Sequence, residues 1–520
     1  MSRLFHPDRP PSRAGALCLT GVLAAILAAC GTDSTSGTTN AVTGSAAVRG
    51  SLIHDPPFRI ASLDAASFGA ELGASTSGAQ LLQVAGTPAC GVDFYYMQYN
   101  TVGGKGEATT ASGALMVPTG SGAQCSGGRP IVLYAHGTAT DRATNLADIT
   151  NPANSEGALI AAMFAAQGYI VVAPNYAGYD SSTLPYHPYL NADQQSKDMI
   201  DALAAARTAL PHTLTSSTTD NGKLFLTGYS QGGYVAMATH RAMQAAGMPV
   251  TASAPMSGPY ALEAFGDAVF YGQVNLGSTV FTPLLVTSYQ NAYGNIYQAL
   301  TDVYEAGYAP HMANILPSTT PIATLFSNGS LPQTELFNSN TPNTGNANLD
   351  AALQVPANPL FALGFGPSNL VTNNFRLAYV LDAVASPDGA VPVPTAGVPQ
   401  AANPQNPMRK AFKTNDLRNW TPLRPILMCG GDMDPTVFFS VNTQVMQQYW
   451  AGLPPGAITV VDINAAVTGP TDPFAAAKVG YQTTIAGIAA AAGQSAAVQA
   501  THATEAPFCT AVARGFFAQF

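Results

Sequence analysis

Residues 224–247 constrain the fold of this chain more than any other stretch. The apolar run Leu224-Phe225-Leu226-Thr227 leads into Gly228-Tyr229-Ser230-Gln231-Gly232-Gly233, and a small-residue segment of helical character follows. The pattern reads as strand, sharp turn and helix, with a serine at the tip. Glycines at the spacing Gly228-x-Ser230-x-Gly232 remove side chains that would clash if the serine is forced into a strained backbone conformation, the arrangement of a nucleophile elbow. Such strain would aim Ser230 Oγ outward. A chain this rich in glycine also produces the spacing by chance, so the surroundings must decide.

Upstream, residues 93–102 and 107–118 flank the turn Gly103-Gly104-Lys105-Gly106 and read as a β-hairpin that begins a sheet. Residues 130–135 and 168–173 are short apolar strands, separated by a helical segment near 156–167. A helix is expected over 191–210, acidic at its start, with Arg207 near its end and Pro211 closing it. Further strands fall at 249–254, 425–429 and 457–463. These strands lack polar alternation, which predicts a sheet covered on both faces. Strand and helix alternate over residues 130–258, the pattern of right-handed βαβ units and a mainly parallel sheet flanked by helices. The alternation stops after Gly258. Residues 259–420 are dense in Tyr, Phe, Leu, Pro and Asn, with helix-like runs at 279–303 and 374–384. They are expected to form a large, mostly helical cap inserted into a core of residues 52–258 and 421–520. The closing segment, 482–520, reads as helical but interrupted around 501–507, where Pro507 stands.

Composition indicates where such a chain works. Of its 520 residues 47% are hydrophobic and only 9% charged, against about 25% charged in an ordinary globular protein. The surface must therefore rely on small and uncharged polar residues, which suits an exported protein. Twenty basic and 29 acidic residues give a net charge of −9, and no basic run is present to track phosphates, which argues against a nucleic-acid partner. Arg3, Arg9 and Arg13 precede an apolar stretch at 14–29, as in a signal peptide spanning residues 1–29. The sequence Leu27-Ala28-Ala29-Cys30 resembles a bacterial lipobox. That resemblance implies lipidation of Cys30 and a chain tethered to the bacterial cell envelope through its N-terminus, with residues 30–51 as a flexible Gly/Ser/Thr-rich linker. With Cys18 in the signal and Cys30 lipidated, Cys90, Cys125, Cys429 and Cys509 remain. Four cysteines allow three pairings. In an oxidising compartment Cys90 is expected to pair with Cys125 and Cys429 with Cys509, and the spacings do not resemble a zinc site.

The order of elements, the elbow and an acidic site after a late strand together resemble the α/β-hydrolase superfamily over roughly residues 90–520. Within it, Ala173-Pro174-Asn175-Tyr176-Ala177-Gly178-Tyr179 followed by His187-Pro188-Tyr189-Leu190 is similar to the secretory lipase and esterase group, which usually carries an acidic residue where this chain has Asn175. The superfamily order is serine, acid, histidine. Of the eight histidines only His502 follows both the elbow and Asp434, so elimination selects it as the base. Asp434 lies three residues after Gly431 and three before Val437, the spacing at which the superfamily places its acid; Asp432 and Asp462 are the rivals. By resemblance, the amides of Gln231 and Thr138 would form the oxyanion hole. His136 is expected to shape its loop and His240 to occupy a helix face, while Tyr176 and Tyr229 are candidates for packing beside the site.

The resemblance thus implies a serine hydrolase cleaving carboxylic esters through an acyl-serine intermediate, with no metal or organic cofactor. The apolar, aromatic-rich cap points to a hydrophobic ester substrate. The same fold also supports serine peptidases, acyltransferases and polyester depolymerases, and a non-catalytic binding lipoprotein is the reading of another class.

Overall fold

In the computed structural model, residues 48–151, 155–215 and 217–520 are described. The expected signal peptide, Cys30 and the linker up to residue 47 lie outside the described residues. Among those described, no helix is long and apolar enough to cross a membrane.

Nine strands form one sheet in the order β1-β2-β3-β5-β4-β6-β7-β8-β9. They are β1 (Phe58–Leu63), β2 (Gly91–Val102), β3 (Ala108–Thr119), β4 (Gly127–Ala135), β5 (Ile170–Pro174), β6 (Thr218–Tyr229), β7 (Ala252–Met256), β8 (Ile426–Gly430) and β9 (Ile458–Asp462). The pairs β1/β2, β2/β3 and β3/β5 are antiparallel. From β5 across to β9 every pair is parallel. The fold is therefore an α/β-hydrolase sheet, as the sequence pattern implied.

Both faces of β5, β7, β8 and the carboxyl-terminal halves of β4 and β6 are buried, which explains the apolar runs there. Along β4, Ile131, Leu133 and Ala135 enter one hydrophobic cluster while Val132 and Tyr134 enter the other. Leu224 and Leu226 of β6 likewise face away from Phe225. At about 1.5–3 kcal/mol for each fully buried aliphatic or aromatic side chain, a charge placed at Leu226 or Phe225 would break a layer of the core.

Helices α1 (Ala65–Gly73), α2 (Thr76–Ala85) and α3 (Ser155–Met163) precede α4 (Ala192–Ala209), and α5 (Gln231–Ala245) leaves the elbow. Asn191 caps α4 by accepting a hydrogen bond from Gln194 N (3.1 Å), and Asp193 and Arg207 complement its dipole. Pro211 does not stop the chain abruptly; it lies in a short 3₁₀ turn, Leu210–His212.

Between β7 and β8 the sheet receives no strand. This stretch holds α6 (Leu262–Phe270), α7 (Ser278–Tyr293), α8 (Ile322–Ser327), α9 (Ala347–Ala352), α10 (Pro359–Ala362), α11 (Asn373–Ala385) and α12 (Pro407–Asn415). Phe270, Leu336, Tyr379 and Phe412 from it share a hydrophobic cluster with Leu133 and Leu226 of the sheet, so the stretch packs onto the core. It also buries charge. Arg409 grips Asp267 through Nε (3.0 Å) and a second nitrogen (2.9 Å), and Arg418 pairs with Asp388 (2.6 Å) and Asp416 (2.8 Å). Removing one partner of such a buried pair leaves an uncompensated charge and costs about 3–5 kcal/mol. The core resumes with α13 (Thr443–Tyr449), α14 (Ala475–Ala492) and α15 (Gln494–Phe517).

Three expectations need correction. The sheet begins with β1 rather than with the hairpin, because residues 58–63 add a largely exposed edge strand antiparallel to β2. The end of the expected linker is docked: Gly50 N–H donates to Asn100 O (2.8 Å), and Arg49 pairs with Asp201 (2.9 Å). The closing segment is not interrupted at 501–507, since α15 runs through Pro507. Proline removes one helical N–H, but Phe508, Cys509, Val512 and Phe516 bury against the sheet and hold the helix together.

Candidate active site

Strand register brings the carboxyl ends of the parallel strands to one edge. Ala135 pairs with Gly228, Tyr229 with Met256, Met256 with Cys429, and Gly430 with Asp462. The residues just beyond these ends are therefore neighbours in space, although the chain separates them widely. Ligands in open α/β sheets bind at this edge.

The elbow has the strain its glycines implied. Ser230 sits at φ +58°, ψ −122°, between β6 and the first residue of α5. A Cβ at Gly228 would lie 2.3 Å from Ala135 O, and one at Gly232 would lie 1.9 Å from the same oxygen. Only glycine fits either position. Such a conformation at a non-glycine residue costs about 1–3 kcal/mol and is held by its surroundings; here the Ser230 N–H donates to Met256 O at 3.0 Å.

His502 lies on α15, not in a loop. Its Nδ1 is 2.6 Å from Asp434 Oδ2, and the Asp434 side chain is almost wholly buried while that of His502 remains partly open. Asp434 Oδ1 accepts from the N–H groups of Thr436 (2.8 Å) and Val437 (3.1 Å). The rivals are engaged elsewhere. Asp432 accepts from Asn464 Nδ2 (2.9 Å) and is exposed, and Asp462 accepts from the backbone of Asp432 and Asn464. Burial raises the Asp462 carboxyl above its usual range.

Ser230 lies where two cavities meet. One, of about 80 Å³, is narrow and apolar, walled by Gln231 and by residues of the stretch between β7 and β8 such as Leu262, Phe265, Phe281, Phe375 and Phe412. The other, of about 1380 Å³, is broad and includes His502, Gly137, Thr138, Glu156 and Tyr229.

The loop after β4 is held firmly. Gly137 N–H donates to Glu156 Oε1 (3.0 Å), which also accepts from Tyr134 OH (2.8 Å). The next residue, Thr138, bonds Tyr189 OH through its hydroxyl (2.8 Å) and faces the broad cavity. His136 is buried, stacks on Tyr176 at 4.1 Å, and places its ring nitrogens 2.6 Å from Gly137 O and 3.1 Å from Asn175 O. It shapes this loop, and Tyr176 is packing. Asn175 is fully buried; its Oδ1 accepts from Leu146 N (2.8 Å) and its Nδ2 donates to Ser112 Oγ (2.9 Å). An amide meets both needs where a carboxylate would leave a donor missing, which accounts for the departure from an acidic residue.

Two partners escaped the sequence reading. His187 accepts at Nε2 from Gln231 Nε2 (2.7 Å), while its Nδ1 donates to Ala177 O (2.9 Å), so it fixes the first residue of the elbow helix. Burial lowers its pKa to about 3. An unfolded histidine titrates near 6.5, so between that pH and about 3 only the unfolded chain takes up this proton, and stability falls as the pH drops through the window. The stability advantage of wild type over His187→Gln is expected to shrink by about 3 kcal/mol between pH 7 and pH 4, measured by chemical denaturation. An advantage that does not change with pH would show that the folded imidazole is not held neutral. His240, by contrast, is buried on α5 against Ser253 Oγ (2.8 Å), away from the chemistry. The second overlooked group is Glu505, on the same face of α15 as His502. Helical periodicity would have paired the two, had Pro507 not suggested a break.

The two expected disulfides, Cys90–Cys125 and Cys429–Cys509, are present. The second joins β8, which enters the Asp434 loop, to α15, which carries His502. Both fit an oxidising compartment outside the cytoplasm.

Comparison with known proteins agrees with this architecture. Residues 157–256, from α3 to β7, match the model of the prolyl oligopeptidase family. No curated protein sequence matches the chain. Among solved structures, the rice cell wall degrading esterase LipA from Xanthomonas oryzae is 27% identical, with a TM-score of 0.61, over 85% of this chain and 98% of that one. A ligand-bound form of the same esterase matches over the same shares at 26% identity and a TM-score of 0.60. A protein of Legionella pneumophila covers 90% of this chain and 97% of its own at a TM-score of 0.61 and 17% identity, a likeness of fold alone. The chain thus has the α/β-hydrolase fold, and the local family match and the likeness to the esterase support a serine hydrolase.

Proposed function

We propose that the protein hydrolyses carboxylic esters with a hydrophobic acyl group, using Ser230 as nucleophile, His502 as general base and Asp434 as the acid that orients it. The observation that carries this is the 2.6 Å bond between His502 Nδ1 and the buried Asp434, on a histidine that shares a cavity wall with the strained Ser230. Asp434 holds the proton on Nδ1, leaving Nε2 free to accept. As Ser230 Oγ bonds to the ester carbonyl carbon, its proton passes to His502 Nε2, and the carbonyl oxygen becomes an oxyanion. The amides of Gln231 and Thr138 are the donors assigned to it; removing one such donor typically costs about 10²–10³-fold in kcat. Breakdown expels the alcohol, which takes the proton from His502, and leaves an acyl-Ser230. Water then repeats the sequence and releases the acid.

The narrow apolar cavity suits the acyl chain, and the broad one suits the alcohol side and the entering water. The stretch of residues 259–420 supplies the acyl wall and so acts as a cap. The likeness to an esterase extends over most of the chain, whereas the match to a peptidase family is confined to residues 157–256. That local match favours peptide hydrolysis as the second reading. A p-nitrophenyl ester chain-length series, run beside peptide p-nitroanilides, separates the two. Esters are expected to be turned over with kcat/KM at least about 10²-fold above the best peptide. The opposite ranking would replace the esterase reading with the peptidase one.

A further inference from the structure

We propose that Glu505 is a positioning residue for His502: its carboxyl holds Tyr229 and Ser257, and so fixes the helix turn that carries the imidazole against the elbow and the Asp434 loop. This rests on the reading of His502 as the base. Glu505 lies three residues beyond His502 on α15, on the same helical face, and is fully buried. Ser257 Oγ donates to its Oε2 at 3.0 Å, and Tyr229 OH lies 3.3 Å from the same oxygen. Tyr229 directly precedes Ser230, and Ser257 directly follows the end of β7. The other oxygen, Oε1, has no hydrogen-bond partner and packs against Gly431, where an added Cβ would stand 2.1 Å from it. One side chain thus touches the segments that bear the serine, the acid and the base.

The contacts also bear on charge. Tyr229 has a single proton, and its hydroxyl already makes a close hydrogen bond to the His502 carbonyl oxygen, with His502 Nδ1 3.4 Å away. A protonated Glu505 satisfies the arrangement by donating to the tyrosine oxygen. Burial, then the negative charge of Asp434, push the Glu505 carboxyl well above the usual range. The titratable groups around it are His502 on its own helix, Tyr229 at the end of β6, Asp434 in the loop after β8, Asp462 at the end of β9 and Tyr481 on α14. Asp434 is the carboxylate bonded to the imidazole, and a neutral Glu505 adds no second negative charge nearby.

The test compares Glu505→Ala, Glu505→Gln and Ser257→Ala by steady-state kinetics on a p-nitrophenyl ester and by the rate of fluorophosphonate labelling. Glu505→Ala is expected to lower kcat by between about 10- and 100-fold with KM nearly unchanged, because misplacing the base affects the chemical step. Glu505→Gln, which keeps the shape without a charge, is expected to restore kcat to within about threefold of wild type and to leave the acid limb of the kcat/KM pH profile in place. Ser257→Ala is expected to lower kcat by about 3- to 10-fold, again at constant KM, and it decides the matter alone if Glu505→Ala does not fold. Unchanged kcat in the alanine variants overturns the proposal. So does an acid limb that moves to lower pH in Glu505→Gln, which would reveal an ionised carboxyl raising the imidazole pKa. Wild-type protein that resists the fluorophosphonate would instead overturn the Ser230–His502 reading itself.

Discussion

Replacing Ser230 with alanine is expected to lower kcat for ester hydrolysis by about 10⁶-fold and to abolish covalent labelling by a fluorophosphonate, since loss of a catalytic serine removes the covalent route and the triad acts as a unit. The substitution deletes a single oxygen. The backbone bond from residue 230 to Met256 O, the glycines at 228 and 232 and the apolar cavity all survive it. Substrate binding should therefore persist, visible as a binding constant close to the wild-type KM under conditions where chemistry is slow. Labelling that continues in Ser230→Ala would place the nucleophile elsewhere. Wild-type protein that binds a partner yet neither reacts with the probe nor turns over esters would leave a binding scaffold as the surviving explanation.

Asp434→Asn is expected to cost about 10⁴-fold in kcat, and the structure gives the direction of the fault. Oδ1 accepts two backbone N–H groups, from Thr436 and Val437. The substituted amide must turn its carbonyl oxygen toward them, which sends its NH₂ toward His502 Nδ1. A ring nitrogen facing a donor has to accept, so the imidazole proton moves to Nε2, the nitrogen required to take the proton of Ser230. The base is then blocked by its tautomer while the geometry stays intact. A measured thermal midpoint close to wild type with a large loss of kcat would fit this account. An activity loss of less than about tenfold would give the orienting role to another group, because one lost neutral hydrogen bond alone is worth about that much.

Much of this site was legible along the chain. The glycines around Ser230 announced a backbone in which a side chain cannot be tolerated, and the close approach of Ala135 O to Gly228 and Gly232 is the contact they anticipated. The superfamily's order of serine, acid and histidine pointed to His502, and its spacing of the acid after a late strand pointed to Asp434. The pairing of the cysteines also followed from the placement of two near the N-terminal strands and two near the C-terminal end. Residues 501–507 misled: Pro507 signals a helix break when only local hydrogen bonding is weighed. The burial of Phe508, Val512 and Phe516 against the sheet outweighs the single N–H that proline removes. That error concealed Glu505, whose relation to His502 exists only on a continuous helix. The edge strand β1 was missed for the opposite reason. It is short and largely exposed, and a register shift between Arg59 and Ala61 breaks the period-2 alternation that Phe58 and Ile60 begin.

The sequence by itself determined the strand-elbow-helix, the order of serine, acid and histidine, and a sheet buried on both faces. These are carried by short-range backbone restrictions and by hydrophobic periodicity, which act within one element. Only the tertiary structure decided that Asp434, rather than Asp432 or Asp462, meets His502; that His187 braces Gln231; and that Ser230 opens onto a narrow cavity walled by a distant part of the chain. Each of those depends on which strand ends lie side by side. That adjacency is set by packing among residues far apart in sequence, and no local pattern encodes it.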